Sequence, residues 1–180
     1  MIATDFALEL QLSALFRSAV SALGVSTLLV IFLNKYLWRI GLLRKLLRIK
    51  IPYVRGRWEG YVLSSYSKHQ TKHPVAVEFE QDLNRVDLWY YDENAVTNSL
   101  VADFANDSNG GPVRLYCVYR NQPIRTDQKR LKTHHGAMEL TIEPSGRRIV
   151  GVYYNNSHQR GTYGDISLTF ISRKLIGAFK

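Results

Sequence analysis

The residues best equipped for chemistry in this chain are arginines and aromatics set inside short alternating runs. In Arg114-Leu115-Tyr116-Cys117-Val118-Tyr119-Arg120, the period-two rule of an extended strand puts Arg114, Tyr116, Val118 and Arg120 on one face. That face suits a ligand with phosphates and rings, because guanidinium groups grip phosphate oxygens in bidentate fashion while aromatic rings stack on bases. Turned outward, the same face is an ordinary amphipathic exterior, and alternation alone leaves both readings open. Of the neighbours Tyr153 and Tyr154 one must face inward. Arg160 follows just beyond, either at a rim where an anion is met or in a salt bridge that closes the hairpin before Gly161. Trp58, between Gly56 and Gly60, reads as a plug at a barrel base or as a stacking platform.

Catalytic equipment is sparse. His134 and His135 are candidates for a general base, with Thr133 and Ser145 nearby in sequence, but there is no GxSxG elbow, P-loop or HExxH run. An enzyme is therefore not expected. Cys117 is the one cysteine among 180 residues, which excludes an intrachain disulfide framework and a thiolate metal cluster. The five histidines lack the spacing of a zinc-binding helix, so neither a metal nor a cofactor is expected.

These residues sit on elements whose period is two from Val54 onward. Strands are predicted at residues 55–66, 74–81, 86–91, 98–105, 113–120, 136–143, 147–154 and 165–172. Polar or glycine-rich turns separate them, of which NDSNGGP is the strongest and NQPIRTDQKRLKTH the longest and the expected mobile loop. Eight short strands with no helical crossover make an antiparallel meander, and curling it into a closed up-and-down β-barrel removes its edges. A two-sheet sandwich is the alternative. An eight-stranded barrel has a bore just wide enough for packed side chains or one small ligand.

Ahead of the barrel, Ser18 to Asn34 contains no charged residue. Seventeen helical residues cover roughly 25 Å, and flanking apolar residues extend this towards a hydrocarbon core of about 30 Å. One spanning helix is expected at about residues 15–36, followed by a basic juxtamembrane or second helix over 37–50. Residues 35–50 hold six basic side chains among leucines and isoleucines, which places them and the following domain in the cytoplasm by the positive-inside bias. Their arginines make a second crossing expensive. The expected division is thus a membrane segment, 1–50, and a barrel domain, 51–180, with Ile51-Pro52 at the boundary. The formal charge of +9 splits into +5 for the first and +4 for the second, so headgroups account for much of it, and no DNA or RNA partner is expected.

The segments IPYVRGRWEG (51–60), HHGAMELTI (134–142), VGVYYN (150–155) and RGTYGDISL (160–168), behind a membrane segment and a basic stretch, resemble the membrane-anchored β-barrel effectors of bacterial cyclic-oligonucleotide-based anti-phage systems. The resemblance covers most of the chain. It implies a lipocalin-like barrel that binds a cyclic dinucleotide made by a partner nucleotidyltransferase. It further implies that binding controls self-association of the membrane segments and disruption of the bacterial inner membrane. Related systems hold a similar effector inactive with the nucleotide, and the sequence does not choose the sign. By the matching motifs, Arg57, Trp58, Tyr153 and Arg160 become ligand-binding candidates, while Arg114, Tyr116 and Arg120 rest on alternation alone. Arg120 and Arg160 are expected at one mouth. Members are described with two transmembrane helices, whereas the charges here support one. A lipid-binding or scaffold barrel is the rival reading, and it expects an interior without paired arginines.

Overall fold

The computed structural model describes residues 2–105, 111–124, 133–156 and 161–179, with side chains from residue 15 onward. The chain divides into two compact units, Met1–Ile49 and Lys50–Lys180.

In the first unit a helix, α1, runs from Ile2 to Lys35. Its stretch Leu15–Lys35 is the one helix among the described residues long and apolar enough to cross a membrane. Leu23, Leu28 and Phe32 expose more than half their surface, as a lipid-facing helix requires. The hydroxyls on this stretch satisfy themselves: Ser18 donates to the Leu15 carbonyl at 2.8 Å, Ser21 to Arg17 at 2.9 Å and Thr27 to Leu23 at 2.8 Å. In hydrocarbon such internal bonds remove the penalty of an unmet polar group. The basic stretch forms a single short turn and a six-residue helix, α2, Gly41–Leu46. Rather than running to Ile51-Pro52, α2 stops where Arg48 takes a left-handed φ of 51° and Ile49 N–H closes on the Arg44 carbonyl at 2.9 Å.

The second unit is a closed barrel of eight antiparallel strands in sequence order. They are β1 (Gly56–Ser64), β2 (Lys72–Gln81), β3 (Val86–Tyr91), β4 (Ala95–Ala105), β5 (Arg114–Pro123), β6 (His134–Ile142), β7 (Arg148–Asn155) and β8 (Thr162–Ser172). Closure comes from β1 on β8, with Trp58 opposite Phe170 and Gly60 opposite Leu168. A Cβ on Gly60 would run into the Ser167 carbonyl, so this seam depends on its absence. The fourth strand begins three residues earlier than the alternation predicts. Asp92 accepts from the Asn94 and Ala95 amides at 2.7 and 2.8 Å, and this tight turn lets pairing resume at once. The turn between β2 and β3 uses Asp82 in the same way.

One end of the bore is dry. Trp58 is fully buried there, edge-on to Phe79 and Phe170 with centroids at 6.3 and 5.3 Å, and its indole N–H donates to the Val54 carbonyl at 2.8 Å. Leu88, Leu115, Leu140, Ile149 and Leu168 complete the plug, each without exposed surface.

Candidate functional site

The inward wall changes character along the barrel. A single row of cross-strand partners shows it: Trp58 pairs with Val77, Val77 with Tyr90, Tyr90 with Thr97, Thr97 with Asn121, and Asn121 with His134. Because the strands of a barrel are staggered, this row climbs from the apolar plug to the opposite mouth. The next rows add Tyr119 opposite Gly136, and Tyr153 opposite Gly164, which in turn faces Ser64. The mouth half of the lumen is therefore built from three phenols, two hydroxyls and an amide, with His73 and His134 nearer the rim.

Their geometry is tightly determined. Asn121 Nδ2 donates to Thr97 Oγ1 at 2.8 Å, and His73 Nε2 lies 3.3 Å from the Ser67 hydroxyl. The Tyr119 hydroxyl lies over Gly136, where any Cβ would collide with it, and it points to the Tyr154 carbonyl at 3.4 Å. Burial pushes the Tyr90 phenol well above its ordinary range, and the charge of Asp92 adds to this. Tyr90 nevertheless keeps part of its surface open. A side chain ringed by protein and still reachable lines a concavity. Burial likewise raises Tyr119, and it raises Tyr153 against the opposing effect of a hydrogen bond with Ser64. All three stay protonated at neutral pH and act as neutral donors.

The lumen thus offers aromatic faces and uncharged donors, the equipment for a ringed ligand bearing many acceptors. A cleft of about 200 Å³ at the other end, among Asp82, Asn84, Arg85, Val86 and Phe104, is formed by the β2–β3 turn and has no comparable aromatic lining.

Residues 49–169 match the Cap15 cyclic dinucleotide receptor domain. The chain belongs to that family. No curated protein sequence matches it. The Cap15 match spans β1 to β7 whole and β8 as far as Thr169, so the receptor assignment applies to the domain whose lumen is described above.

Within this Cap15 barrel the residues anticipated for binding do not converge. Tyr153 faces the lumen. Trp58 also faces inward, but at the plugged end and with its one polar atom already bonded. Arg57 points outward, where its guanidinium is buried against Glu59 at 2.7 Å and Glu78 at 3.0 Å. Arg114, Tyr116 and Arg120 lie on the outer wall, since their strand neighbours Leu115, Cys117, Tyr119 and Asn121 take the inward positions. Arg114 there faces Glu139 at 3.2 Å. Arg160 lies outside the described residues, and so does its expected approach to Arg120. Among the described residues no arginine or lysine occupies an inward strand position, so the expected guanidinium grip on phosphates is not built into this wall. Sequence reading passed over Thr97, Asn121 and Tyr119. The signal available for them was the register Thr97–Asn121 and the alternation within β5, once one knew which of its two faces turned in.

Proposed function

We propose that the mouth half of the lumen binds the cyclic dinucleotide, with Tyr90, Tyr119 and Tyr153 supplying stacking faces and phenolic donors, and Thr97 and Asn121 fixing orientation. The observation carrying this reading is the gathering of inward phenols and hydroxyls with the Asn121 amide at one end of the bore, whereas at the plugged end the inward Gln81 has both amide atoms bonded to the backbone of Val54 and Pro52. A ligand with two phosphodiester charges fits uncharged donors inside a domain whose residues 51–180 carry a net +4, since the field of the whole domain favours an anion while local donors meet its oxygens. The chain acts as a sensor, not a catalyst.

The output is self-association of α1 in the bacterial inner membrane, with the barrel in the cytoplasm and the nucleotide supplied by a partner nucleotidyltransferase during phage infection. Ser21, Gly24, Ser26 and Thr27 support this, because small and hydroxyl-bearing residues on a spanning helix let a second helix approach closely in lipid. Occupancy has to favour one association state, since a ligand indifferent to both shifts nothing.

The rival lipid-binding reading draws on the lack of inward arginines among the described residues. It has no use for Thr97, Asn121 and three tyrosine hydroxyls in one half of the bore, since an acyl chain offers them no partner.

The test is full-length protein in anionic liposomes loaded with dye, mixed with a panel of cyclic dinucleotides. Ligand-dependent change in leakage and in chemical crosslinking between copies is expected for at least one member. Identical leakage and crosslinking with and without every member would contradict the proposal.

A further inference from the structure

Asn121 stands out among the lumen residues. It is 8% exposed, and its Nδ2 is committed to Thr97 Oγ1 at 2.8 Å. Its Oδ1 is buried with no hydrogen-bond partner. Among the described residues it is the one inward-facing barrel side chain with such an orphaned atom. An unmet buried acceptor is costly, and a wall position this enclosed tolerates an apolar side chain of the same shape at little loss.

We infer that Asn121 is a base-selectivity residue, whose Oδ1 accepts a hydrogen bond from the exocyclic amino group of a nucleobase in the bound cyclic dinucleotide. This rests on the lumen being the ligand site. The polarity of the orphan narrows the choice: a carbonyl oxygen repels phosphate oxygens and requires a donor, and a base edge offers its exocyclic amino group, with the ring N–H of hypoxanthine or uracil as the competitor that the amino-free ligands below test. Position also points to a base edge. Asn121 lies in the row that contains Tyr90, reached through Thr97, so a base stacked on the Tyr90 ring turns its edge towards β5. Thr97 Oγ1 takes up Nδ2, which leaves Oδ1 as the amide atom without a partner.

Pairing of this kind discriminates by about tenfold to a hundredfold. The experiment is titration of full-length protein in detergent with cyclic dinucleotides containing adenine, guanine or cytosine, and with counterparts containing hypoxanthine or uracil in their place. A 2′-deoxy analogue of the tightest ligand is the control for a ribose hydroxyl as the donor. The wild-type protein is expected to prefer an amino-bearing ligand over its amino-free counterpart by tenfold or more, and Asn121→Leu to bring that ratio close to one. Asn121→Asp, which keeps an acceptor, is expected to retain the preference at lower absolute affinity. Thermal unfolding of both variants with a cooperative transition establishes that they fold. A ratio unchanged in Asn121→Leu overturns the inference while leaving the lumen as the site. So does a preference that depends on the 2′-hydroxyl instead of the amino group. Absence of binding by the wild-type protein to the whole panel overturns the lumen reading itself.

Discussion

Arg57 and Glu78 meet at 3.0 Å on the outer wall of the barrel, with 1% and 3% of their side chains exposed. What covers them is the end of the chain. The Glu78 carboxylate accepts from the Ile176 and Gly177 amides at 2.7 and 3.1 Å, and Arg57 Nη1 donates to the Ala178 carbonyl at 2.9 Å. The arginine that sequence motifs nominate for ligand binding thus ties the C-terminal segment to β1 and β2.

Glu78→Leu leaves Arg57 with Glu59 as its remaining carboxylate and strips the Ile176 and Gly177 amides of their acceptor. It is expected to lower barrel stability by about 1–3 kcal/mol in urea unfolding, and the double variant Arg57→Met, Glu78→Leu to recover a large part of that loss. Ligand affinity is expected to stay within about threefold of wild type, because neither side chain faces the lumen.

Alkaline pH is expected to weaken the fold through inward phenols and the thiol. Burial pushes Cys117 from 9.0 up to about 12, and the Tyr90, Tyr119 and Tyr153 phenols also shift upward. Between these limits the unfolded chain has released protons that the fold retains, so stability is complete below pH 9 and falls as pH rises towards 12. The thiol alone contributes at most about 1.4 kcal/mol per pH unit in this window. Urea midpoints at pH 8 and pH 10.5 measure the decline, and Cys117→Ala makes it shallower. A thiol reagent at pH 8 is expected to label Cys117 only in urea.

Gly136→Ala places a methyl group against the Tyr119 hydroxyl and the Tyr154 carbonyl. A loss of about 1–3 kcal/mol is expected from this overpacking, accompanied by weaker ligand binding because Tyr119 must move. Equal stability and affinity to wild type in thermal unfolding and calorimetry would contradict that placement of the phenol.

Gly24→Leu adds bulk to α1 at a position where a Cβ meets nothing within 4 Å outside its own helical turns. Membrane insertion is expected to persist while ligand-dependent crosslinking between copies falls several-fold. Crosslinking at the wild-type level would remove α1 packing at Gly24 from the account.

Most of the architecture was legible because it rests on strong local signals. Val75, Val77 and Phe79 alternate with Ala76, Glu78 and Glu80 and are buried as the pattern requires, although Ala76 and Glu78 on the other face are buried as well. The uncharged run 18–34 lies within the helix that passes the spanning criterion. The orientation of β5 was not legible, since Arg114, Tyr116, Val118 and Arg120 alternate as cleanly as the three residues between them. What decides it is closure of the barrel, which sets Leu115, Cys117 and Tyr119 against Leu140, Met138 and Gly136 across β6. Arg57 was misleading for a related reason. Its partner Glu78 lies on another strand and its cover comes from residues 176–178, and no local pattern connects the three.

The central claim is that a cyclic dinucleotide binds inside the mouth half of the barrel. Calorimetric titration of full-length protein in detergent tests it most directly, comparing wild type with the lumen variant Tyr90→Leu, Thr97→Val and with the outer-wall variant Arg114→Ala, Tyr116→Ala. The account predicts saturable binding of at least one cyclic dinucleotide to wild type, a loss of tenfold or more in the lumen variant, and affinity within about threefold in the outer-wall variant. Full affinity in a folded lumen variant, or loss confined to the outer-wall variant, would contradict it.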